Sequence, residues 1–176
     1  SQATYFVHLP DFVSSVDNIQ VQRGVGTSTN GAGAFGASIN IQTTVRKDSA
    51  YTELNNSFGS YNTQKNTFNF GTGLLNNQFT FDGRLSRIQS DGYIDRASSK
   101  LKSYFLSGAW YGAHTLIRAN VFSGQEKTYQ AWNGVPESEL ANNRTYNAYT
   151  YADQTDNYTQ DNYQLLYAHS FSPKLS

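Results

Sequence analysis

Two stretches decide the fold of this chain: VDNIQVQRG at residues 16–24 and GAGAFGASINI at residues 31–41. In both stretches apolar and polar residues alternate, around Val21 and around Ile39, and this alternation is the period of a β-strand. The glycines between them permit positive backbone φ angles and close backbone packing. From Tyr51 onward the chain continues as a series of amphipathic strands. The sequence therefore predicts two short strands followed by a longer strand succession.

The segment GAGAFG at residues 31–36 matches the dinucleotide-binding pattern G-x-G-x-x-G. That pattern binds a pyrophosphate only where it opens a helix, whose N-terminus faces the phosphates. Here an alternating stretch rich in β-branched residues follows, at residues 37–43. We therefore do not expect nucleotide binding.

The composition is that of an all-β protein. Aromatic residues make up 15% of the 176 residues, with 13 Tyr and 11 Phe, while Pro occurs only 3 times. The formal net charge is zero, which gives no argument for binding nucleic acid or an anionic membrane. Because Cys is absent, disulfides and thiolate metal sites are excluded.

Six further strands of about ten residues are predicted, at residues 51–60, 64–73, 78–89, 100–111, 114–123 and 161–171. The third is the clearest, because Phe79, Phe81 and Leu85 alternate with polar residues. In the fourth, the apolar face contains either Tyr104, Leu106, Gly108 and Trp110 or the opposite register through Phe105 and Ala109. In the last two, Ile117 and Leu165 are assigned to the apolar faces.

The connections between these strands are short after strands two, four and six and longer after strands three and five. The longest covers residues 124–160, and the short turn after strand one is an exception to the alternation. Alternating short turns and long loops are typical of outer-membrane barrels. The same alternation of side chains is also compatible with a soluble antiparallel sandwich that buries one face.

The first third of the chain resembles the junction between plug and barrel in TonB-dependent outer-membrane receptors. Plug domains of this family end in an I-x-V-x-R-G strand, a glycine-containing loop and a G-x-x-I-N-I strand. The matching positions are Ile19, Val21, Arg23, Gly24, Gly33, Gly36, Ile39, Asn40 and Ile41. The chain departs from the pattern at residues 25–27, where many members have proline. The segments SDGYIDR at 90–96 and KTYQAWNGVP at 127–136 are similar to the early barrel of iron-complex receptors.

This resemblance implies an antiparallel up-and-down meander that is part of a plugged outer-membrane β-barrel. Residues 1–44 would finish the plug domain, and residues 45–176 would form roughly the first six barrel strands with their extracellular loops. The implied function is uptake of a ferric siderophore or similar iron chelate, with cobalamin, haem and glycans as the alternative substrates. Transport would be energised by the TonB complex through a part N-terminal to this segment, with no catalysis and no cofactor. Its location would be the outer membrane, and an isolated fragment with open strand edges is expected to self-associate.

The resemblance also suggests site residues. Arg23 is a candidate for a latch between plug and a barrel-wall carboxylate, the alternative being an arginine that ends its strand at the surface. Ligand-contact candidates in the long loop are Tyr129, Trp132, Tyr146 and Tyr149, because aromatic side chains stack on flat ligands. Alternatively, these aromatics pack the loop against the barrel mouth or lie at the outer membrane interface.

Catalytic and metal-binding arrangements are not predicted. The residues His8, His114 and His169 are far apart in the chain, and no nucleophile or zinc pattern accompanies them. A second function class remains open from the residues themselves, a secreted β-sandwich module that binds carbohydrate through its aromatic and polar loops.

Overall fold

The computed structural model describes residues 11–16, 18–24, 36–43 and 46–171, and this part of the chain is almost entirely β-structure. A 3-10 turn at Phe12–Ser15 precedes the first strand, and a one-turn helix α1 occupies Glu137–Leu140. The strands are β1 (Asn18–Arg23), β2 (Ala37–Gln42), β3 (Tyr51–Gly59), β4 (Thr63–Gly71), β5 (Phe79–Ser90), β6 (Ser99–Tyr111), β7 (Thr115–Tyr129) and β8 (Thr155–His169). Most of the glycine-rich loop, the segment at residues 25–27 and the predicted turn at residues 172–174 lie outside the described residues.

β1 and β2 form an antiparallel two-stranded sheet of their own. Their register runs from Asn18 opposite Gln42 to Arg23 opposite Ala37, and the Gly24 amide donates to the Gly36 carbonyl at 2.8 Å. The two predicted short strands are thus confirmed. Since a strand and not a helix follows Gly36, the helical context that a dinucleotide fingerprint requires is absent from these residues.

The remaining strands form one six-stranded antiparallel sheet in sequence order, β3-β4-β5-β6-β7-β8. This confirms the predicted all-β antiparallel meander. Within the described residues the sheet is open, with β3 and β8 at its edges. No closure into a barrel is therefore seen in this part of the chain.

Two hairpin turns use backbone conformations that match the twist of the sheet. Tyr61 and Asn62 both have positive φ, as do Asn76 and Asn77. Two successive residues of positive φ are the signature of the type I′ turn, in which asparagine is favoured. The predicted short turns at these two places are confirmed.

The predicted ends of strands five and six, and with them the loop at residues 124–160, are wrong. β7 continues to Tyr129 and β8 begins at Thr155, so the loop covers residues 130–154 only. The added segments, such as residues 124–128, are mostly polar and show no apolar alternation. They are held by backbone pairing with both neighbours, from Ser103 opposite Gly124 to Thr128 opposite Asp156.

The six-stranded sheet has two faces of opposite character. We call polar face the one that carries the buried side chains Thr67, Thr80, Arg84, Ser86, Ser103, Ser107 and Asn120. We call apolar face the one that carries the exposed side chains Leu54, Phe68, Phe79, Phe81, Leu85, Leu106, Ile117, Tyr163, Leu165 and Tyr167. Of the two registers left open for the fourth predicted strand, the structure has the one with Tyr104, Leu106, Gly108 and Trp110 on the apolar face.

Candidate functional site

An ion cluster attaches the N-terminal segment, residues 11–16, to the polar face of the sheet. The Asp11 carboxylate accepts a hydrogen bond from Arg84 Nη1 at 3.0 Å and another from Lys65 Nζ at 2.9 Å. The side chains of Asp11 and Arg84 are only 6% and 5% exposed. A buried charge pair of this kind is costly to break, because either partner alone would remain charged and desolvated.

Serine hydroxyls complete the hydrogen bonding of this cluster. Arg84 donates from Nε to Ser15 and from Nη2 to Ser103 at 3.0 Å. Ser14 donates to Asp11 and accepts from Lys65 Nζ at 2.7 Å. The guanidinium therefore joins two strands of the sheet to the 3-10 turn through three of its nitrogens.

Packing of aromatic rings supports the same attachment. Phe12 lies with its ring centroid 5.5 Å from that of Phe122 on β7, and Phe122 stacks on Phe105 of β6 at 5.9 Å. Phe105 is one of the few buried apolar side chains in the described part of the chain. The segment is thus held by both polar and apolar contacts.

The pKa of Asp11 is lower than its ordinary value near 3.8. Burial alone raises it, but hydrogen bonds from Ser14, Ser86 and Lys65, with the positive charge of Lys65, lower it by more. The carboxyl is therefore ionised at neutral pH, as the bond from Arg84 requires.

A second set of contacts holds two loops together. Arg96 donates to the carbonyl oxygens of Asn147 and Tyr149 at 2.9 and 2.8 Å. The buried Asn147 amide donates to the Asp95 and Gln130 carbonyls at 2.9 and 3.1 Å. The loop at residues 91–98 and the loop at residues 130–154 thus form one connected surface at this end of the sheet.

The half-buried carboxyl of Asp95 belongs to the same set of contacts. Hydrogen bonds from Thr145 and then Asn143 lower the pKa of Asp95, with a smaller contribution from the charge of Arg96.

The predicted loop aromatics occupy different environments. Trp132 is 73% exposed, whereas Tyr146 and Tyr149 are half-buried. The placement of Tyr129 in the loop is wrong, because it ends β7, is buried, and donates from its hydroxyl to the Tyr151 carbonyl at 2.7 Å. Two further tyrosines at the same loops, Tyr93 and Tyr151, are also exposed. Whether these aromatics contact a ligand stays a prediction.

Arg23 lies exposed as the last residue of β1, opposite Ala37. Its role as a latch stays a prediction. The buried arginine of the described residues is Arg84, and its carboxylate partner comes from the N-terminal segment. The only sequence signal for Arg84 was its polar-face position in the clearest predicted strand, and this signal does not distinguish it from other alternating polar residues.

Several other features of the chain bear on its class. Among the described residues no helix is long and apolar enough to cross a lipid bilayer. The same residues contain no group of three or more His, Cys, Asp or Glu side chains arranged to hold a metal ion. Comparisons of the chain with protein families, with curated proteins and with solved structures find no match.

Proposed function

We propose that this chain is part of a TonB-dependent outer-membrane receptor, in which the six-stranded sheet is barrel wall and the N-terminal segment belongs to the plug. Its function is binding and uptake of a ferric siderophore or similar iron chelate. The observation that carries the proposal is the inverted burial of the sheet: on the central strands β4 to β7 side chains of the polar face are buried, while large side chains of the apolar face are exposed.

Exposure of the apolar face to water is energetically unfavourable. Phe81 and Leu85 on β5 and Leu165 on β8 are each about half or more exposed. Burial of one such side chain in an apolar medium contributes ~1.5–3 kcal/mol. A lipid bilayer supplies that medium to strands of a barrel, whose lipid-facing and interior side chains alternate. A soluble sandwich buries its apolar face against a second sheet, which is the opposite of the burial seen here.

The polar face is suited to a plug. It carries Arg84, Asn120 and several serines and threonines, and residues 11–16 bind it through the ion cluster. Separation of the buried Asp11–Arg84 pair is costly, so residues 11–16 stay attached to the wall until an external force detaches them. An attachment of this kind fits a plug that moves only when transport is energised.

The loops define the side from which the ligand enters. The connections at residues 60–62, 91–98 and 130–154 lie at one end of the sheet, and the last is the longest. Exposed aromatic side chains such as Trp132 and Tyr93 occur on them and are suited to stacking on a flat chelate. The choice of an iron chelate rests on the resemblance of residues 90–96 and 127–136 to iron-complex receptors.

The first experiment is fractionation of the source cells, probed with an antibody raised against this segment. We expect a band several times larger than 19.6 kDa, confined to the outer membrane. A band near 19.6 kDa in a soluble fraction would refute the receptor and favour the carbohydrate-binding module.

A second experiment tests the ligand. Cells starved of iron and expressing the full gene are given radiolabelled ferric chelates, and uptake is compared with that by cells lacking the gene. We expect uptake of at least one chelate to depend on the gene and on TonB. If the gene supports uptake of cobalamin or a glycan but of no iron chelate, the transport function is supported and the proposed substrate class is wrong.

A further inference from the structure

Four cationic side chains lie together on the apolar face, next to its loop-proximal end. Arg87 on β5 is directly opposite Lys102 on β6. One row nearer the loops, Lys100 on β6 is directly opposite Lys127 on β7. We call these four residues the basic rows.

The basic rows are unfavourable for the protein in isolation. Like charges directly opposite each other on neighbouring strands destabilise a sheet, and here two such pairs occur in adjacent rows. No described carboxylate lies within ion-pair distance of Arg87, Lys100, Lys102 or Lys127. The nearest carboxylate on this face by register is Asp161 on the edge strand β8, which is opposite Ser123. An anion from outside the chain would relieve the repulsion.

An apolar groove of about 470 Å³ adjoins the basic rows. Leu54, Phe68, Leu85 and Tyr104 line it on one side, and these four residues form a single cross-strand row. Arg87 and Lys102 line its other side. The groove therefore has apolar side chains at its end away from the loops and positively charged side chains at its end toward the loops.

We propose that the groove and the basic rows form a binding site for a lipid with an anionic, phosphorylated headgroup. An acyl chain occupies the apolar groove, and the phosphate lies between Arg87 and Lys102, with Lys100 and Lys127 adding attraction. Charge complementarity supports this occupant, because a zwitterionic lipid would leave the like-charged pairs uncompensated. The proposal rests on the proposed function, since it requires the apolar face to meet lipid.

The test measures which lipid the chain retains. The chain is placed in mixed micelles containing equal amounts of phosphatidylglycerol and phosphatidylcholine, is purified, and its retained lipids are quantified at 0.15 M and 1 M salt. We expect enrichment of phosphatidylglycerol that weakens at high salt. Each of R87Q and K102Q should reduce the enrichment about fivefold, since one basic residue near a lipid surface contributes ~1 kcal/mol.

Two controls separate charge at this site from charge in general. R144Q removes an exposed cation from the loop at residues 130–154 and should leave the enrichment unchanged. K102R keeps the charge and should also preserve it. Inorganic phosphate at 10 mM should not abolish it, because a free anion lacks the acyl chain.

The outcomes also separate this inference from the proposed function. Retention of both lipids in equal amounts, or enrichment unaffected by the R87Q/K102Q double substitution, would overturn the lipid site and leave the membrane location intact. Loss of the enrichment in 10 mM phosphate would replace it with a free-anion site. If the chain retains neither lipid and stays in solution without detergent, both proposals fall.

Discussion

At the scale of single residues, Arg84 joins the N-terminal segment to the sheet. It is buried on the polar face and donates to the N-terminal segment through Asp11 and Ser15, and to β6 through Ser103. Because Asp11 is its charged partner, the stability of the pair depends on both residues. Replacement of either one leaves the other buried without its counter-charge.

We therefore expect Asp11→Asn to release residues 11–16 from the sheet. Breaking a buried ion pair by removal of one partner typically costs ~3–5 kcal/mol. The measurement is hydrogen exchange at the Ser14 amide, which donates to the Asp11 carbonyl inside the 3-10 turn. The control is R87Q, which removes an arginine from β5, the strand of Arg84, but on the opposite face of the sheet. Unchanged protection of Ser14 in Asp11→Asn would show that Phe12 packing holds the segment alone.

The double substitution Asp11→Asn with R84Q tests the coupling itself. If the two side chains stabilise each other, the double variant should be less destabilised than the sum of the two single variants, by an interaction energy of ~0.5–3 kcal/mol. Additive effects would mean that the contact at 3.0 Å contributes nothing specific.

The lowered pKa of Asp11 gives a pH dependence with a definite sign. A carboxyl whose pKa is lower in the folded state binds fewer protons there than in the released state. Its contribution is therefore complete above the ordinary pKa near 3.8 and is lost as pH falls through the lower folded pKa. We expect Ser14 protection to be constant from pH 7 to about pH 5 and to decline below the ordinary value. Release between pH 5 and 7 would contradict this assignment.

At the scale of elements, the sequence predicted strands where side chains alternate and failed where backbone pairing alone extends them. β5 was placed within one residue at each end, because Phe79, Phe81 and Leu85 mark its apolar face. The second half of β7, including Gln125 and Lys127, has polar side chains on both faces. Its conformation is set by two paired neighbours, one of which, β8, is distant in sequence.

The ion cluster could not be predicted from the sequence, for a related reason. Asp11 and Arg84 are 73 positions apart, and nothing local marks either as a partner of the other. Their contact requires the register of β5 against β6 and the docking of the 3-10 turn, and both are tertiary features. The aromatic residues of the loop can be recognised in the sequence. The burial of Tyr129 could not be predicted, because it depends on the longer β7.

The apolar face of β8 provides a prediction for an element. We expect Leu165→Asp to reduce partition of the chain into phosphatidylcholine vesicles by about tenfold or more, because Leu165 is 76% exposed on that face and burial of a leucine side chain contributes ~1.5–3 kcal/mol. The control is Asn162→Asp, which adds the same charge to the polar face of the same strand. Partition is measured by flotation of vesicles. Equal partition of both variants would mean that the apolar face does not meet lipid.

At the scale of the whole molecule, the dominant feature is a six-stranded sheet that is open within the described residues. Among the described strands β3 and β8 each have one neighbour, and the edge strand β8 is 15 residues long. The unpaired backbone groups of a long edge strand can pair with a strand of another chain. In a membrane the need is stronger, because no water is available to satisfy those groups. The structure thus implies that the edges pair with something beyond the described strands.

We therefore expect this 176-residue chain to self-associate in zwitterionic detergent through the free edge of β8. Adjacent residues of a strand point their N–H groups to opposite sides, so one of Gln164→Pro and Leu165→Pro removes a free donor and the other removes a bond to β7. The variant that loses a free donor should become monomeric in sedimentation and retain its β-sheet circular dichroism. The variant that loses a bond to β7 should lose part of its β-sheet signal. Retention of the oligomer by both variants would place the association elsewhere, and the β3 edge would be tested in the same way at Asn55 and Asn56.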